Sequence, residues 1–161
     1  MAFAAVLRRP LVNDKSMKTS SAGISLIKHF EGLRLTSYGD IGGVSTIGYG
    51  HTGAHIHPGM TITEAQADAL LWEDVAIAEA VVSRSVSVPL AQCQFDGLVA
   101  FVFNIGGGHF NYSGVLSSLN SGKALQIKGY WLAWDHAGGV EVAGLKRRRE
   151  AEYEMFSGVS V

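Results

Sequence analysis

The chain changes its hydrophobic period abruptly within residues 28–51, and this change constrains the fold more than any other feature of the sequence. Apolar residues recur at helical spacing up to Phe30, which predicts a helix over residues 22–31. Glycine-containing turn signals follow, and residues 44–51 then alternate in the manner of a strand. The stretch therefore predicts that the end of an amphipathic helix lies beside a β-hairpin.

This helix end and hairpin carry Glu31, Asp40, Thr46 and His51. Two carboxylates in different surroundings are what glycoside hydrolysis requires, because one must be protonated while the other stays ionised. Each residue also has a simpler explanation. A glutamate at a helix end is commonly solvated, an aspartate before glycines forms turns, and threonine favours strands.

The combination is more specific than its parts. It reads F-E-G-x-R-L-x-x-Y-x-D-x-x-G-x-x-T-I-G-Y-G-H, which resembles the catalytic segment of the phage-type lysozymes, glycoside hydrolase family 24. F-D-G-L-V-A-F-V-F-N-I-G at residues 95–106 and G-L-x-x-R-R-x-x-E at residues 144–152 resemble two further parts of that family. The resemblance covers residues 20–157. It implies an endolysin-like muramidase with a mostly helical α+β fold, in which a long helix joins a small β-hairpin lobe to a helical lobe and a cleft lies between them.

By this resemblance, the catalytic residues are Glu31, Asp40 and Thr46. Glu31 is the general acid, and burial against Phe30 is expected to favour its protonated form. Asp40 stays ionised and positions or activates a water molecule. The Thr46 hydroxyl, both a donor and an acceptor, holds that water from the opposite side.

The resemblance implies a role in the site for three more residues, and each of them could instead have an ordinary structural role. Asn104 either caps its helix or points its amide into the sugar cleft as a substrate-binding group. His51 supports the hairpin, hydrogen-bonds Thr46, or lines the substrate site. Arg148 lies in the basic run 146–149, which is either a solvated face or a source of one arginine that orders the Glu31 region.

The remaining patterns are helical. Ser20 or Ser21 can cap the first helix, and T-E-A-Q at residues 63–66 is a capping box that begins a long helix to about residue 82 with a solvated acidic face. Residues 89–104 predict a helix buried on most sides. Gly97 should weaken that helix by about 0.5–1 kcal/mol unless a close contact requires it. Further helices are predicted over residues 113–120, 124–135 and 144–156, with Trp131 and Trp134 in the core.

Composition excludes several classes of protein. The formal net charge of −1 argues against a nucleic-acid-binding protein, which is usually basic. A single cysteine, Cys93, rules out an internal disulfide. His51, His55 and His57 have a spacing that suggests a metal site, but no carboxylate or cysteine of ligand spacing accompanies them. We therefore expect no metal and no cofactor.

The predicted domain organisation is a flexible N-terminal tail over residues 1–19 and a lysozyme-like catalytic domain over residues 20–161. The apolar part of the tail is too short to span a membrane, and an amphipathic anchor is the alternative. The resemblance implies a monomer that binds peptidoglycan glycan strands, with neither nucleic acid nor stable membrane insertion. It also implies a protein held in the host bacterial cytoplasm until lysis, which then acts on the cell wall in the periplasm after release by a holin.

Three other functions compete with a muramidase. A lytic transglycosylase cuts the same bond with one acid and needs neither Asp40 nor Thr46. A catalytically dead wall-binding module would be expected to have lost Glu31, which is present. A lysozyme-like structural component of a phage particle would usually carry further domains.

Overall fold

The computed structural model describes residues 14–39 and 43–158. Within these residues, the strands form two small antiparallel sheets and helices make up most of the chain, so the predicted mostly helical α+β class is confirmed. The helices are α1 Ser21–Glu31, α2 Glu64–Ser85, α3 Gln92–Ile105, α4 Gly107–Asn111, α5 Gly114–Asn120, α6 Ala124–Leu132 and α7 Ala143–Ser157. The strands are β1 Arg34–Gly39, β2 Ser45–Gly48, β3 His51–Thr52, β4 His136–Ala137 and β5 Val140–Glu141.

The predicted helix and hairpin at the start of the chain are present. Ser20 is the N-cap of α1, and its hydroxyl accepts a hydrogen bond from the Gly23 amide. Gly32 ends the helix with a φ of 71°, a conformation that favours glycine. The sheet that follows has the order β1-β2-β3, with Thr46 of β2 opposite Tyr38 of β1.

Helix α2 connects this sheet to the helical part of the protein. Its capping box is confirmed, since the Thr63 hydroxyl accepts from the Gln66 amide and the Gln66 side chain accepts from the Thr63 amide. Along its length α2 contacts β2 and β3, and also α3 and α4. It therefore joins a small sheet lobe to a helical lobe, as predicted. None of the helices among the described residues is long and apolar enough to cross a membrane.

The core is built around α3. Phe101 is fully buried, and its ring centroid lies 4.6 Å from that of Trp131 and 6.4 Å from that of Phe110. Trp131 has no exposed surface, so its prediction as a core residue is confirmed. Helix α7 packs against α3, and Gly97 lies where the two helices approach each other. A Cβ atom on Gly97 would lie 2.8 Å from the Glu152 carbonyl oxygen and 2.9 Å from the Phe156 backbone nitrogen. This is the close contact that explains a glycine inside a buried helix.

We predict that Gly97→Ala lowers the free energy of unfolding, even though alanine is the better helix former. The new methyl group meets backbone atoms that cannot rotate away, so the helices must separate at an overpacking cost of about 1–3 kcal/mol. Gly129→Ala is the matched control, because Gly129 lies inside α6 and a Cβ there meets nothing within 4 Å. The control should gain about 0.5–1 kcal/mol. Chemical denaturation of both variants checks the prediction, and equal stabilisation of the two would contradict it.

The described residues that precede α1 are bound to α2 by hydrogen bonds and an ion pair. The Thr19 amide and hydroxyl both donate to Glu79 Oε1, at 2.8 and 2.9 Å, and Lys18 Nζ lies 2.8 Å from Glu79 Oε2. Met17 packs against the core. Residues 1–13 lie outside the described residues, so the tail and the domain boundary after residue 19 stay predictions.

The acidic residues of α2 do not all form a solvated face, and that prediction is wrong for three of them. Glu79 is buried, Asp68 pairs with Lys28 at 2.7 Å, and Asp74 pairs with a histidine of β3. Burial raises the pKa of Glu79, but hydrogen bonds from Lys18 and Thr19 outweigh burial and hold that pKa below its ordinary value of 4.5.

We predict that Glu79→Gln destabilises the protein by about 2 kcal/mol at neutral pH, because it removes charge-assisted hydrogen bonds to a buried carboxylate. The pKa of Glu79 is lowered on folding, so its contribution is complete above 4.5 and is lost as pH falls through the folded value. The stability gap between wild type and variant should therefore close as pH falls below 4.5 and through the lowered pKa of folded Glu79. Glu73→Gln, an exposed site on the same helix, should change stability little at any pH. A gap that widens in acid would contradict this account.

Two features were not predicted from the sequence. The glycine-rich stretch after α3 forms the short helix α4, and Gly138 and Gly139 form the turn of a hairpin, β4 and β5, rather than a simple break. Helix α6 also ends at Leu132, three residues before the predicted end. Helix α4 begins after Gly106, and the hairpin turns at Gly138 and Gly139. All three glycines have positive φ, a conformation that a sequence pattern does not distinguish from a loop.

Candidate active site

Glu31 lies at the junction of α1 and the sheet. It is the last residue of α1, and its side chain is 20% exposed. Its Oε1 atom lies 2.7 Å from Arg148 Nη1, so α7 contributes a cation to the end of α1. A Cβ atom on Gly50 would lie 3.5 Å from Glu31 Oε2, which places the β2–β3 turn against the second carboxylate oxygen. Three separate segments thus meet at this carboxylate.

Arg148 is held in place from several sides. Its guanidinium carbon lies 5.6 Å from the centroid of the Phe30 ring, at a distance typical of a cation–π contact. Its Nε atom donates to Glu152 Oε1 at 2.9 Å, across one turn of α7. The side chain is only 6% exposed. Arg148 therefore presents Nη1 to Glu31 from a fixed position.

Glu152 is the buried acceptor that anchors this arrangement. It is fully buried and accepts hydrogen bonds from Arg149 Nη2 at 3.0 Å and from Trp131 Nε1 at 3.4 Å, besides the one from Arg148. Burial raises the pKa of Glu152, and the guanidinium groups of Arg149 and Arg148 act in the opposite direction. Burial also lowers the pKa of Arg149, which has no exposed surface.

Asn104 joins the same network from α3. Its Oδ1 atom accepts a hydrogen bond of 2.7 Å from Arg149 Nη2. Asn104 is exposed and α3 continues to Ile105, so Gly106 rather than Asn104 caps the helix. With its oxygen occupied by Arg149, Asn104 has its amide nitrogen left as a donor.

An open cleft of about 250 Å³ lies between the sheet and the helical lobe. Its walls come from the β2–β3 region, from the middle of α2 and from the end of α3. The lining residues include Gly50, Thr52, Asp74, Ile77, Phe103 and Gly106. Gly50 lines this cleft and also lies next to Glu31 Oε2, so the carboxylate is adjacent to one residue of the cleft wall.

Of the two other predicted catalytic residues, the structure describes Thr46 but not Asp40. Thr46 is buried in the middle of β2, and its hydroxyl donates to the Val44 carbonyl oxygen at 3.4 Å. Asp40 lies outside the described residues. The relation of Asp40 to Glu31 and Thr46 therefore stays a prediction.

His51 is a buried residue that fastens β3 to α2. Its Nδ1 atom lies 2.9 Å from Asp74 Oδ2, and its main chain pairs with Ile47. The ring of His55 is 5.4 Å from that of His51, measured between centroids. Among residues 14–39 and 43–158, no three histidine, cysteine or acidic side chains are grouped so that they could hold a metal ion.

The sequence profile of the phage lysozyme family matches residues 28–152, which include Glu31, Thr46, His51, Asn104 and Arg148. The chain belongs to the phage lysozyme family. The predicted resemblance is thereby confirmed.

Individual phage lysozymes and related proteins agree with the family assignment. The chain is 41% identical over 142 residues to the endolysin of Bacillus phage B103, a match that covers 87% of this chain and 54% of the relative. The chain thus spans about half the length of that curated relative. It is 42% identical to the endolysin of Salmonella phage P22, covering 83% of this chain and 94% of the relative.

Solved structures of this group share the fold. The muramidase domain of SpmX from Asticaccaulis excentricus matches with a TM-score of 0.80 and 40% identity, covering 89% of this chain and 99% of that domain. The predicted lysozyme-like fold is thereby confirmed.

Three residues of the network around Glu31 and His51 were not predicted from the sequence to have a role in the site. In the sequence, Glu152 stands only at the end of a motif, Arg149 within a basic run and Asp74 on an acidic helix face. A signal was present for Glu152, because Arg148 and Arg149 precede it by four and three residues, the spacing at which helical side chains meet. For Asp74 the sequence contained no comparable signal, since its partner lies 23 residues away.

Proposed function

We propose that this protein is an endolysin, a muramidase that hydrolyses the β-1,4 bond between N-acetylmuramic acid and N-acetylglucosamine in bacterial peptidoglycan and so lyses the host cell. The observation that supports it most is a carboxylate, Glu31, that is held by Arg148 and lies next to Gly50 of the cleft wall, in a chain of the phage lysozyme family. Relatives named endolysin and muramidase domain support the same assignment.

In the proposed mechanism, Glu31 is the general acid. It donates its proton to the glycosidic oxygen as the bond to the anomeric carbon of N-acetylmuramic acid breaks, and the N-acetylglucosamine hydroxyl leaves. Asp40 is ionised when the sugar binds, and it stabilises the positive charge that develops there. Thr46 holds a water molecule, whose oxygen forms the new bond to the anomeric carbon while one of its protons passes to the Asp40 carboxylate.

Residues around the acid prepare the site for this step. Arg148 binds Glu31 Oε1, which directs Oε2 toward the Gly50 side, where the cleft lies. Asn104 donates its free amide hydrogen atoms to the sugar, because Arg149 occupies its oxygen. His51 shapes the cleft wall by binding Asp74, which itself lines the cleft. No metal or cofactor is required for these steps.

The same proposal extends to the cellular setting. The protein would act as a monomer, would be made in the bacterial cytoplasm, and would reach peptidoglycan in the periplasm once a holin has permeabilised the membrane. Neither nucleic acid nor stable membrane insertion has a part in it.

Mass spectrometry of digested, purified peptidoglycan tests the proposal. A muramidase releases fragments with a reducing N-acetylmuramic acid end, heavier by one water molecule than the anhydro fragments that a lytic transglycosylase produces. We expect the reducing fragments, and we expect them to be absent after digestion with Glu31→Gln. Anhydro fragments would assign the protein to the transglycosylases, and no release of fragments by the folded wild type would overturn the proposal.

A further inference from the structure

A row of three side chains crosses the small sheet from β1 to β3. Tyr38 of β1 lies directly opposite Thr46 of β2, and Thr46 lies directly opposite Thr52 of β3. Direct partners in an antiparallel sheet place their side chains on the same face, with Cβ atoms about 4.5–5.5 Å apart. The three side chains therefore share one face of the sheet, and the row from Tyr38 to Thr52 spans about 10 Å.

This row connects the cleft with an aromatic ring. Thr52, at one end, is exposed and lines the cleft. Thr46, in the middle, is buried and is the residue that would hold the attacking water. Tyr38, at the other end, lies two strands away from Thr52 and is exposed. The face that begins at the cleft wall thus continues past Thr46 to Tyr38.

The Tyr38 ring is both accessible and oriented. The residue is 43% exposed, and the guanidinium carbon of Arg34 lies 5.5 Å from the centroid of its ring, at a distance typical of a cation–π contact. Arg34 pairs with Gly48, which lies two residues from Thr46 on β2, so Arg34 belongs to the same face of the sheet. A cation over one face of the ring restricts its rotation, and the opposite face is left for a ligand.

We propose that the Tyr38 ring is a stacking platform for a pyranose ring of the glycan strand, which runs along this row from the cleft past Thr46. The proposal rests on the proposed function, because it assigns a binding position to a further sugar of the same substrate. The C–H groups of a sugar ring carry partial positive charge and are attracted to the negative face of an aromatic ring, and the contact also buries apolar area. Arg34 is a positioning residue that acts through Tyr38.

Nuclear magnetic resonance with a soluble glycan tests the platform independently of hydrolysis. The probe is a tetrasaccharide of alternating N-acetylglucosamine and N-acetylmuramic acid, linked through sulfur so that it is not cleaved and amidated at its lactyl carboxyl groups so that it is uncharged. We expect it to shift the ring signals of Tyr38. Tyr38→Phe keeps the ring and should bind within about twofold of wild type, whereas Tyr38→Leu removes the ring and should bind about tenfold more weakly.

Two further comparisons isolate the ring and its orientation. Tyr112→Leu is the matched control, because Tyr112 is 94% exposed at the end of α4, away from the sheet, and it should bind the probe as wild type does. Arg34→Gln should weaken binding by about two- to fivefold, and Arg34→Lys, which keeps a cation for the ring, should restore most of the loss. Arg34→Gln leaves the ring in place, so it also tests the proposal if Tyr38→Leu fails to fold.

The outcomes separate a stacked ring from other roles of Tyr38. Failure of wild type to bind the probe would overturn the proposal, as would equal losses in Tyr38→Phe and Tyr38→Leu, which would assign the effect to the hydroxyl group. Equal losses in Tyr38→Leu and Tyr112→Leu would overturn it too. Equal losses in Arg34→Gln and Arg34→Lys would overturn the positioning role of Arg34.

Kinetics on intact peptidoglycan give a second readout for the same variants. Tyr38→Leu should raise KM and leave kcat nearly unchanged, because stacking is made equally in the bound substrate and in the transition state. A loss confined to kcat would place Tyr38 in the chemical step and overturn the platform. A wild type that binds the probe through Tyr38 but releases no fragments from peptidoglycan would contradict the proposed function and not the platform.

Discussion

Glu31→Gln is expected to reduce the rate of peptidoglycan hydrolysis by about 10²–10⁴-fold, the contribution typical of a positioned general acid. Glutamine keeps the size of the side chain and an oxygen that can accept from Arg148 Nη1, but it has no proton to transfer. The loss corresponds to about 3–5.5 kcal/mol in the activation barrier and should appear in kcat rather than in binding to the wall. Turnover measured on purified peptidoglycan, together with a cosedimentation assay for binding, checks both parts.

A control and a structural measurement accompany that variant. Glu73→Gln changes an exposed glutamate on α2 by the same chemistry and should retain wild-type activity. The circular dichroism spectrum and unfolding temperature of Glu31→Gln should stay close to those of wild type, so that lost activity cannot be attributed to unfolding. If the purified Glu31→Gln protein hydrolyses peptidoglycan within a few-fold of the wild-type rate, Glu31 is not the acid.

The largest expected effect on stability comes from Glu152→Gln. This change leaves the guanidinium group of Arg149 fully buried without its counter-charge, and removal of one partner from a buried ion pair costs about 3–5 kcal/mol. For a domain of this size we expect the unfolding temperature to fall by about 6–20 °C. Activity should also fall, because Arg148 loses the acceptor that orients it toward Glu31.

Glu154→Gln is the matched control, since Glu154 is exposed on the same helix two residues later. It should change the free energy of unfolding by less than about 0.5 kcal/mol. A double variant, Arg149→Met with Glu152→Met, should be more stable than Glu152→Gln, because it removes both charges from the core. A Glu152→Gln protein as stable as the Glu154→Gln control would show that the buried pair contributes nothing to the fold.

These two predictions concern one connected network. Arg148 of α7 contacts Glu31 of α1 and Glu152 of its own helix. Glu152 in turn binds Arg149, which binds Asn104 of α3, and all four contacts measure 2.7–3.0 Å. The buried end of the network secures the helices to each other, and Glu31 at its other end lies next to Gly50 of the cleft wall. Stability and the geometry of the proposed acid are therefore expected to change together when the buried end is altered.

The sequence by itself determined the features that depend on neighbouring residues. The helix that ends at Glu31 and the capping box of α2 were both predicted, because period, N-caps and terminal glycines act over a few residues. The motif around Glu31 also sufficed for the family, since its residues lie within one continuous stretch. Asp40 stays a sequence prediction, because it lies outside the described residues.

Only the tertiary structure decided which polar residues are buried and what they bind. Glu79 and Asp74 have the sequence pattern of a solvated helix face, yet each is paired with a group on another segment. In the basic run 146–149, Arg147 is exposed and Arg149 fully buried, although both are arginines on one helix. From the sequence alone, Gly97 is expected to weaken its helix, but the close approach of α7 leaves no room for a Cβ atom at this position. The physical reason is common to all of them: the stability of a buried charge or a missing side chain depends on partners distant in sequence, and packing alone brings those partners together.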